Sequence, residues 1–186
     1  MQISQPRFKS LKEATEVSAV RLTDERRFAR VGDIFRLSPY PGLFLWGRLI
    51  KKSRFFGLDA LFNLVYIYDA VSIERPPAAL LTPENLLIGP AVVNNLGWVR
   101  GYWQIVASEK LKPEDVLAEH QFVRFRGTGN PGDYDIVGEH GQAVRGRPTN
   151  LRAMSQSGFG NFNSVDWKLK GILKQRGLIP ESEVST

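Results

Sequence analysis

The sequence predicts an α+β protein that is mostly β, with a curved antiparallel sheet and a C-terminal amphipathic helix. Three observations predict it. Short segments rich in β-branched and aromatic residues, such as Leu61–Tyr68 and Gly101–Ala107, recur between clusters of turn-forming residues. Tyr40-Pro41-Gly42 separates two such segments, because proline presets the first corner of a turn and glycine relaxes the second. Near the end, Val165, Leu169, Ile172 and Leu173 fall at i, i+4, i+7 and i+8, one apolar face of a helix.

Residues 1–13 mix basic and polar types without periodicity and read as a loose arm. Glu16 to Leu22 alternates polar and apolar, the period of a half-buried strand. Val31 to Leu37 reads as a turn entering a strand, and Leu43 to Ile50 as its hairpin partner, followed by a basic loop, Lys51-Lys52-Ser53-Arg54. Leu61 to Tyr68 is apolar on both faces, which suits a central, fully covered strand. Pro76 and Pro77 cannot extend its ladder. Thr82 to Asn85 reads as a helix start or turn, and Leu86 to Val93 as a strand interrupted at Pro90.

Gly101 to Ala107 is a further strand, Lys112 to Leu117 a short helix, and Phe122–Arg126 and Tyr134–Val137 short strands joined by a glycine-rich loop. Residues 138–160 read as a long loop with one short strand, and residues 164–176 as the final helix. Asn163 or Ser164 is its expected cap and Gly177 its stop. The layout is a curved antiparallel sheet or a small SH3-like, partly open barrel, in one domain spanning residues 1–186.

Composition bounds the chemistry. The chain has no cysteine, which removes disulfides, thiol nucleophiles and thiolate metal sites. No apolar run reaches the roughly 18–20 residues of a membrane span. Residues 1–11 lack a signal-peptide core, so a cytoplasmic location without membrane contact is expected. The formal charge is +6, and it is uneven: residues 1–60 hold 12 Lys or Arg against 6 acids, residues 61–142 hold 6 against 10, and residues 143–186 hold 7 against 3. Basic ends flank an acidic middle, a balance compatible with an anionic partner and equally with a solvated surface.

Catalytic and metal motifs are missing from the letters. His120 and His140 stand 20 residues apart with no metal-ligand spacing. Glu139-His140 with Asp133 and Asp135 has the residue types of a cation or acid–base site, but a polar loop explains them as well. Ser155-Gln156-Ser157-Gly158 is not a nucleophile elbow. Gly127 to Gly132 lacks the lysine of a phosphate loop and is broken by Pro131. We therefore expect no enzyme, no cofactor and no metal.

Binding is the remaining class, and interfaces favour Trp, Tyr and Arg. Trp46, Trp98 and Trp103 lie on or beside strands and read as core. Trp167 lies opposite the apolar stripe of the last helix, beside Lys170 and Lys174. It is either an exposed anchor ringed by cations or is covered by the preceding loop. Arg145, Arg147 and Arg152 form a second basic cluster, suited to carboxylate or phosphate capture, or simply a solvated loop. These six residues are the candidate partner-binding set.

The order of four motifs is similar to a known family. Val31-Gly32-Asp33-Ile34-Phe35-Arg36-Leu37, Trp46-Gly47-Arg48-Leu49-Ile50, Val65-Tyr66-Ile67-Tyr68-Asp69 and Gly101-Tyr102-Trp103-Gln104-Ile105-Val106 together resemble the immunity protein 26 family. The resemblance covers roughly residues 30–140. It implies a single-domain bacterial protein of polymorphic toxin systems that neutralises a cognate toxin and has no catalytic residues. The basic tail with Trp167 has no counterpart in the pattern. A basic nucleic-acid-binding barrel is the second reading, to be recognised by salt-sensitive affinity. An SH3-like toxin ribonuclease is the third, and would need arginine and hydroxyl partners that do not stand out here.

Overall fold

The computed structural model describes residues 19–125, 134–144, 154–156 and 162–180. Its main sheet has five antiparallel strands: β1 (Asp33–Tyr40), β2 (Leu43–Ser53), β3 (Phe62–Tyr68), β4 (Leu86–Val93) and β5 (Trp103–Ser108). The order is β4-β3-β2-β1-β5, so the first four strands meander and β5 returns to pair with β1. The sheet is open, with β4 and β5 at its two ends. A smaller sheet holds β6 (Gln121–Phe125) between β7 (Tyr134–Val137) and β8 (Met154–Gln156). The described residues also form two α-helices, a single turn, α1 (Leu96–Val99), and the longer α2 (Phe162–Gln175).

The Pro-Gly turn forms as the sequence predicts. Gly42 takes a positive φ of 79°, a conformation that costs glycine little and other residues more. β3 is buried along its whole length because alternate side chains enter two different cores. Phe35, Leu37, Leu45, Leu49, Val65 and Ile67 face α2, which contributes Phe162, Val165, Leu169 and Leu173. On the other face Ile34, Trp46, Ile50, Leu64, Tyr66 and Tyr68 pack with Phe122 and Val137 of the small sheet. Trp46, Trp98 and Trp103 are all core residues, as expected.

The α2-side core is organised around Phe35. Its ring stacks on Trp103 at 4.9 Å and meets Trp98 edge-on at 5.3 Å. Gly47 lies opposite Phe35 in the β1–β2 register, and a Cβ there would stand 2.5 Å from Phe35 Cζ and 2.7 Å from the Tyr66 carbonyl oxygen. Gly47→Ala is therefore expected to destabilise the chain by about 1–3 kcal/mol, since an overpacked core must shift to admit a methyl group. A chemical-denaturation midpoint unchanged from wild type would contradict this.

Several local expectations need correction. Residues 19–22 of the Glu16–Leu22 segment are not a strand. They are held by isolated backbone bonds, Val20 N to Ser38 O in β1 and Leu22 N to Gly101 O just before β5, each 2.9 Å or less, and by packing of Ala19 on the core. Lys51 to Ser53 belong to β2 rather than to a loop, because pairing with Leu64, Asn63 and Phe62 carries the ladder on past a bulge at Ile50. Pro90 does not interrupt β4. It falls in a register shift where Val65 pairs with Ala91 but Ile67 with Ile88, on an end strand that tolerates a missing N–H. The Lys112 segment shortens to a single 3₁₀ turn at Pro113–Asp115, whereas the turn expected at Thr82–Asn85 is present as a 3₁₀ turn at Pro83–Asn85. α2 begins at Phe162, so Asn163 and Ser164 lie inside it and do not cap it. The small sheet also departs from an all-antiparallel layout, since β6 and β8 run parallel. The N-terminal arm, residues 1–13, and most of the 138–160 loop lie outside the described residues. No described helix is long and apolar enough to cross a membrane.

Candidate functional site

The polar residues of this chain do converge, contrary to what their scattered spacing suggests. The centre is Tyr66, in the middle of β3 and with no exposed surface. Its oxygen accepts a bond from the Leu117 backbone N–H at 3.0 Å and lies 2.6 Å from His120 Nε2. His120 Nδ1 lies 2.7 Å from Glu139 Oε1, and Glu139 Oε2 accepts from Lys51 Nζ at 2.6 Å. The chain of contacts runs from the core to the surface, where the Lys51 side chain is 46% exposed.

Each member is positioned by a separate element. The bulge at Ile50 lets β2 keep Ile50 in the core while Lys51 reaches outward. His120 immediately precedes β6, and Glu139 follows β7 by two residues. The Glu139 carbonyl accepts from Phe56 N at 2.7 Å, which holds the turn against the chain leaving β2.

The hydrogen-bond directions follow from the donors. The Tyr66 oxygen already accepts from an amide, so the phenol donates its proton to Nε2 of a neutral imidazole, whose Nδ1–H donates to the Glu139 carboxylate. Electrostatics agree. Burial pushes the Tyr66 phenol up to about 12, although the Leu117 amide opposes the rise. Burial likewise lowers His120 below its ordinary 6.5, with the bond to Glu139 opposing it. Burial alone would raise the Glu139 carboxyl, but the bonds from Lys51 and His120 outweigh it and hold the group below its ordinary 4.5. The result is a neutral phenol, a neutral imidazole and an ionised carboxylate at neutral pH.

A second buried group lies on the same sheet face. Arg48, 4% exposed, pairs with Asp115 at 3.0 Å and donates from Nη2 to the carbonyls of Glu109 and Lys110, both at 3.3 Å. It thus fastens the 3₁₀ turn at Pro113–Asp115 and the chain leaving β5 to the centre of β2. In both clusters most of the polar atoms are engaged with one another, although Arg48 Nε is buried without a hydrogen-bond partner and the first cluster opens to the surface at Lys51. Tyr66 has neither the exposure nor the ionisation of a nucleophile, and both His120 nitrogens are occupied.

The residues singled out from the sequence fall elsewhere. Trp167, Lys170 and Lys174 are together on α2 and each is half-buried; Lys170 Nζ lies 3.7 Å from Asp166 Oδ2. Arg145, Arg147 and Arg152 lie outside the described residues, as does Asp133. Asp135 is 3.7 Å from Arg124, and the His140 side chain is exposed. Glu139 therefore takes His120 as its partner and not its neighbour His140, and it is part of an internal network rather than a polar loop. Spacing gave no hint of this. The available signal was two tyrosines, Tyr66 and Tyr68, on one face of an otherwise apolar strand, since a buried phenol needs a polar partner.

A family model described as immunity protein 26 matches residues 30–130, more than half of the chain. The chain belongs to the immunity protein 26 family. Its role is that of an immunity protein. The match runs from the start of β1 through β6, and so takes in the whole main sheet, both Arg48 and Asp115, and Lys51, Tyr66 and His120. Glu139 and α2 lie beyond it. No curated protein and no solved structure among those compared matches the chain.

Proposed function

We propose that this chain binds a cognate bacterial toxin in the cytoplasm and neutralises it as a stoichiometric inhibitor, without catalysing a reaction. The observation that carries the reading is the family match across the five-stranded sheet. A second observation supports it: the polar groups that converge are spent inside the fold, which leaves the exterior to do the work. An inhibitor of this kind needs a stable scaffold and a preformed complementary surface.

The proposed contact surface is the basic C-terminal part: Arg145, Arg147 and Arg152 together with Trp167, Lys170 and Lys174. Residues 143–186 carry 7 basic against 3 acidic side chains, so the fitting toxin face is acidic or mixed. The test is co-expression with toxins of the source bacterium, followed by size-exclusion chromatography of the rescued pair. A one-to-one complex is expected, together with restored growth. Charge reversal of Arg145, Arg147 and Arg152 is expected to weaken the complex at least about tenfold, as the loss of several charge-assisted contacts does. Recovery of nucleic acid alone, removable by salt, would replace this reading with the nucleic-acid-binding one.

A further inference from the structure

His120 links the small sheet to the main sheet by side-chain hydrogen bonds, beside the apolar packing between them. It stands at the entrance of the small sheet, touches β3 of the main sheet through Tyr66, and reaches the exit of β7 through Glu139, which is held in turn by Lys51 of β2. One imidazole thus bonds to both ends of the β6–β7 unit's contact with the main sheet, alongside the Phe56 N to Glu139 O backbone bond. Beneath it the interface is apolar: Phe122 and Val137 pack with Ile34, Ile50 and Tyr66, and Phe56 meets Phe122 edge-on at 5.0 Å.

The network works in one protonation state only. From the core outward three successive bonds point the same way, from Leu117 N–H to Tyr66, from Tyr66 O–H to His120 Nε2, and from His120 Nδ1–H to Glu139, which also accepts from Lys51 on its other side. An imidazolium has no acceptor. Protonation of Nε2 turns the Tyr66–His120 contact round, so that the ring donates to the phenol oxygen. Tyr66, wholly buried, is then left with an O–H that has no acceptor in the network. We propose that His120 is an acid-released pin: proton uptake at its ring breaks the one-way network and uncouples the three-stranded sheet from the five-stranded one.

The surrounding charges leave this step to His120. Facing its ring are Tyr66 from β3, Glu139 from the turn after β7 and, through Glu139, Lys51 from β2. Arg48 and Asp115, on the same sheet face, pair with each other, and Arg124 and Asp135 pair across the small sheet. Glu139 is held below the ordinary carboxylate range by the bonds from Lys51 and His120.

The direction of the pH effect is fixed. An exposed His120 takes its proton near 6.5, whereas the folded ring is held below that value by burial. As pH falls through 6.5 the open form binds more protons than the closed form. The pin's contribution is complete above 6.5 and is lost as pH falls through the folded value.

Hydrogen–deuterium exchange of the whole chain between pH 7.5 and 5.5, corrected for intrinsic rates, tests this. Opening of β6 and β7 is expected to increase over that range, by up to about tenfold for one linked proton, while β2 and β3 stay protected. His120→Gln supplies a neutral acceptor and donor at similar spacing, and its β6–β7 exchange is expected to be flat over the same range. His140→Gln, altering the exposed histidine, is expected to behave as wild type. Should the glutamine variant not fold, ring ¹⁵N shifts of wild-type His120 decide the matter. They should show the Nδ1–H tautomer at pH 7.5 and a protonation that coincides with the loss of β6–β7 protection. Flat wild-type exchange, a His120→Gln slope equal to wild type, or an imidazolium inside a fully protected small sheet would each overturn the proposal.

Discussion

Asp115→Ala is expected to lower the unfolding free energy by about 3–5 kcal/mol, the cost of leaving a buried charge without its partner. The guanidinium of Arg48 is almost wholly enclosed, and Asp115 is the only carboxylate bonded to it among the described residues. Two backbone carbonyls remain as acceptors at 3.3 Å, too long and too neutral to replace an ion pair. The loss is more than local, since Asp115 Oδ2 also accepts from Lys112 N at 2.8 Å and so holds the 3₁₀ turn closed. Replacing both partners with apolar residues, Arg48→Met with Asp115→Leu, is expected to regain most of the loss, because desolvation of the pair opposes its attraction. Urea denaturation of the single and double variants measures both. A single-variant loss under about 1 kcal/mol would show that the pair is screened like a surface bridge.

Ending the chain at Gly160 is expected to abolish cooperative unfolding. α2 covers the sheet face that carries Phe35, Leu37, Leu45, Leu49, Val65 and Ile67, and four of its own apolar residues are buried there. Burial of each such side chain contributes roughly 1.5–3 kcal/mol, so losing four exceeds the whole stability of an ordinary domain's lower range. The cut also removes Arg176, whose two Nη atoms grip both oxygens of Asp69 just beyond β3 at 2.6 and 2.9 Å. Circular dichroism of the truncated chain should show no sharp thermal transition. The milder Leu169→Ala, at a site with no exposed surface, is expected to cost about 2–5 kcal/mol and to leave the fold intact. A truncated chain that melts cooperatively near the full-length temperature would mean that the sheet supports itself.

These two features differ in how readable they were. The helix and its stripe could be read from the letters, because a 3.6-residue period is a local property. So could the Pro-Gly hairpin and the doubly covered β3, and the family pattern rests on the same strands. The clusters around Tyr66 and Arg48 were not readable. Tyr66 and His120 are 54 residues apart, Lys51 and Glu139 are 88 apart, and Arg48 reaches Asp115 only because β5 comes back beside β1. Such pairs depend on register, and register depends on bulges that no local pattern announces. The bulge at Ile50 is the plainest case: it sends Lys51 outward and makes a strand look like a basic loop. Residues 19–22 of the Glu16–Leu22 segment are the reverse, part of a strand-like alternation that finds no ladder partner among the described residues.

The return of β5 also bears on how quickly the chain reaches its final form. The β1–β4 meander joins strands that follow one another in the chain, whereas Arg36 meets Gln104 across 68 residues. Bringing such distant partners together gives up chain entropy before any contact repays it, and all-β topologies of this kind reach the native state on the order of milliseconds to seconds. Until that closure the outer side of β1 is a bare ladder, open to any extended segment that arrives first. For a newly made chain the hazardous interval is therefore the wait between completion of the meander and the arrival of Trp103.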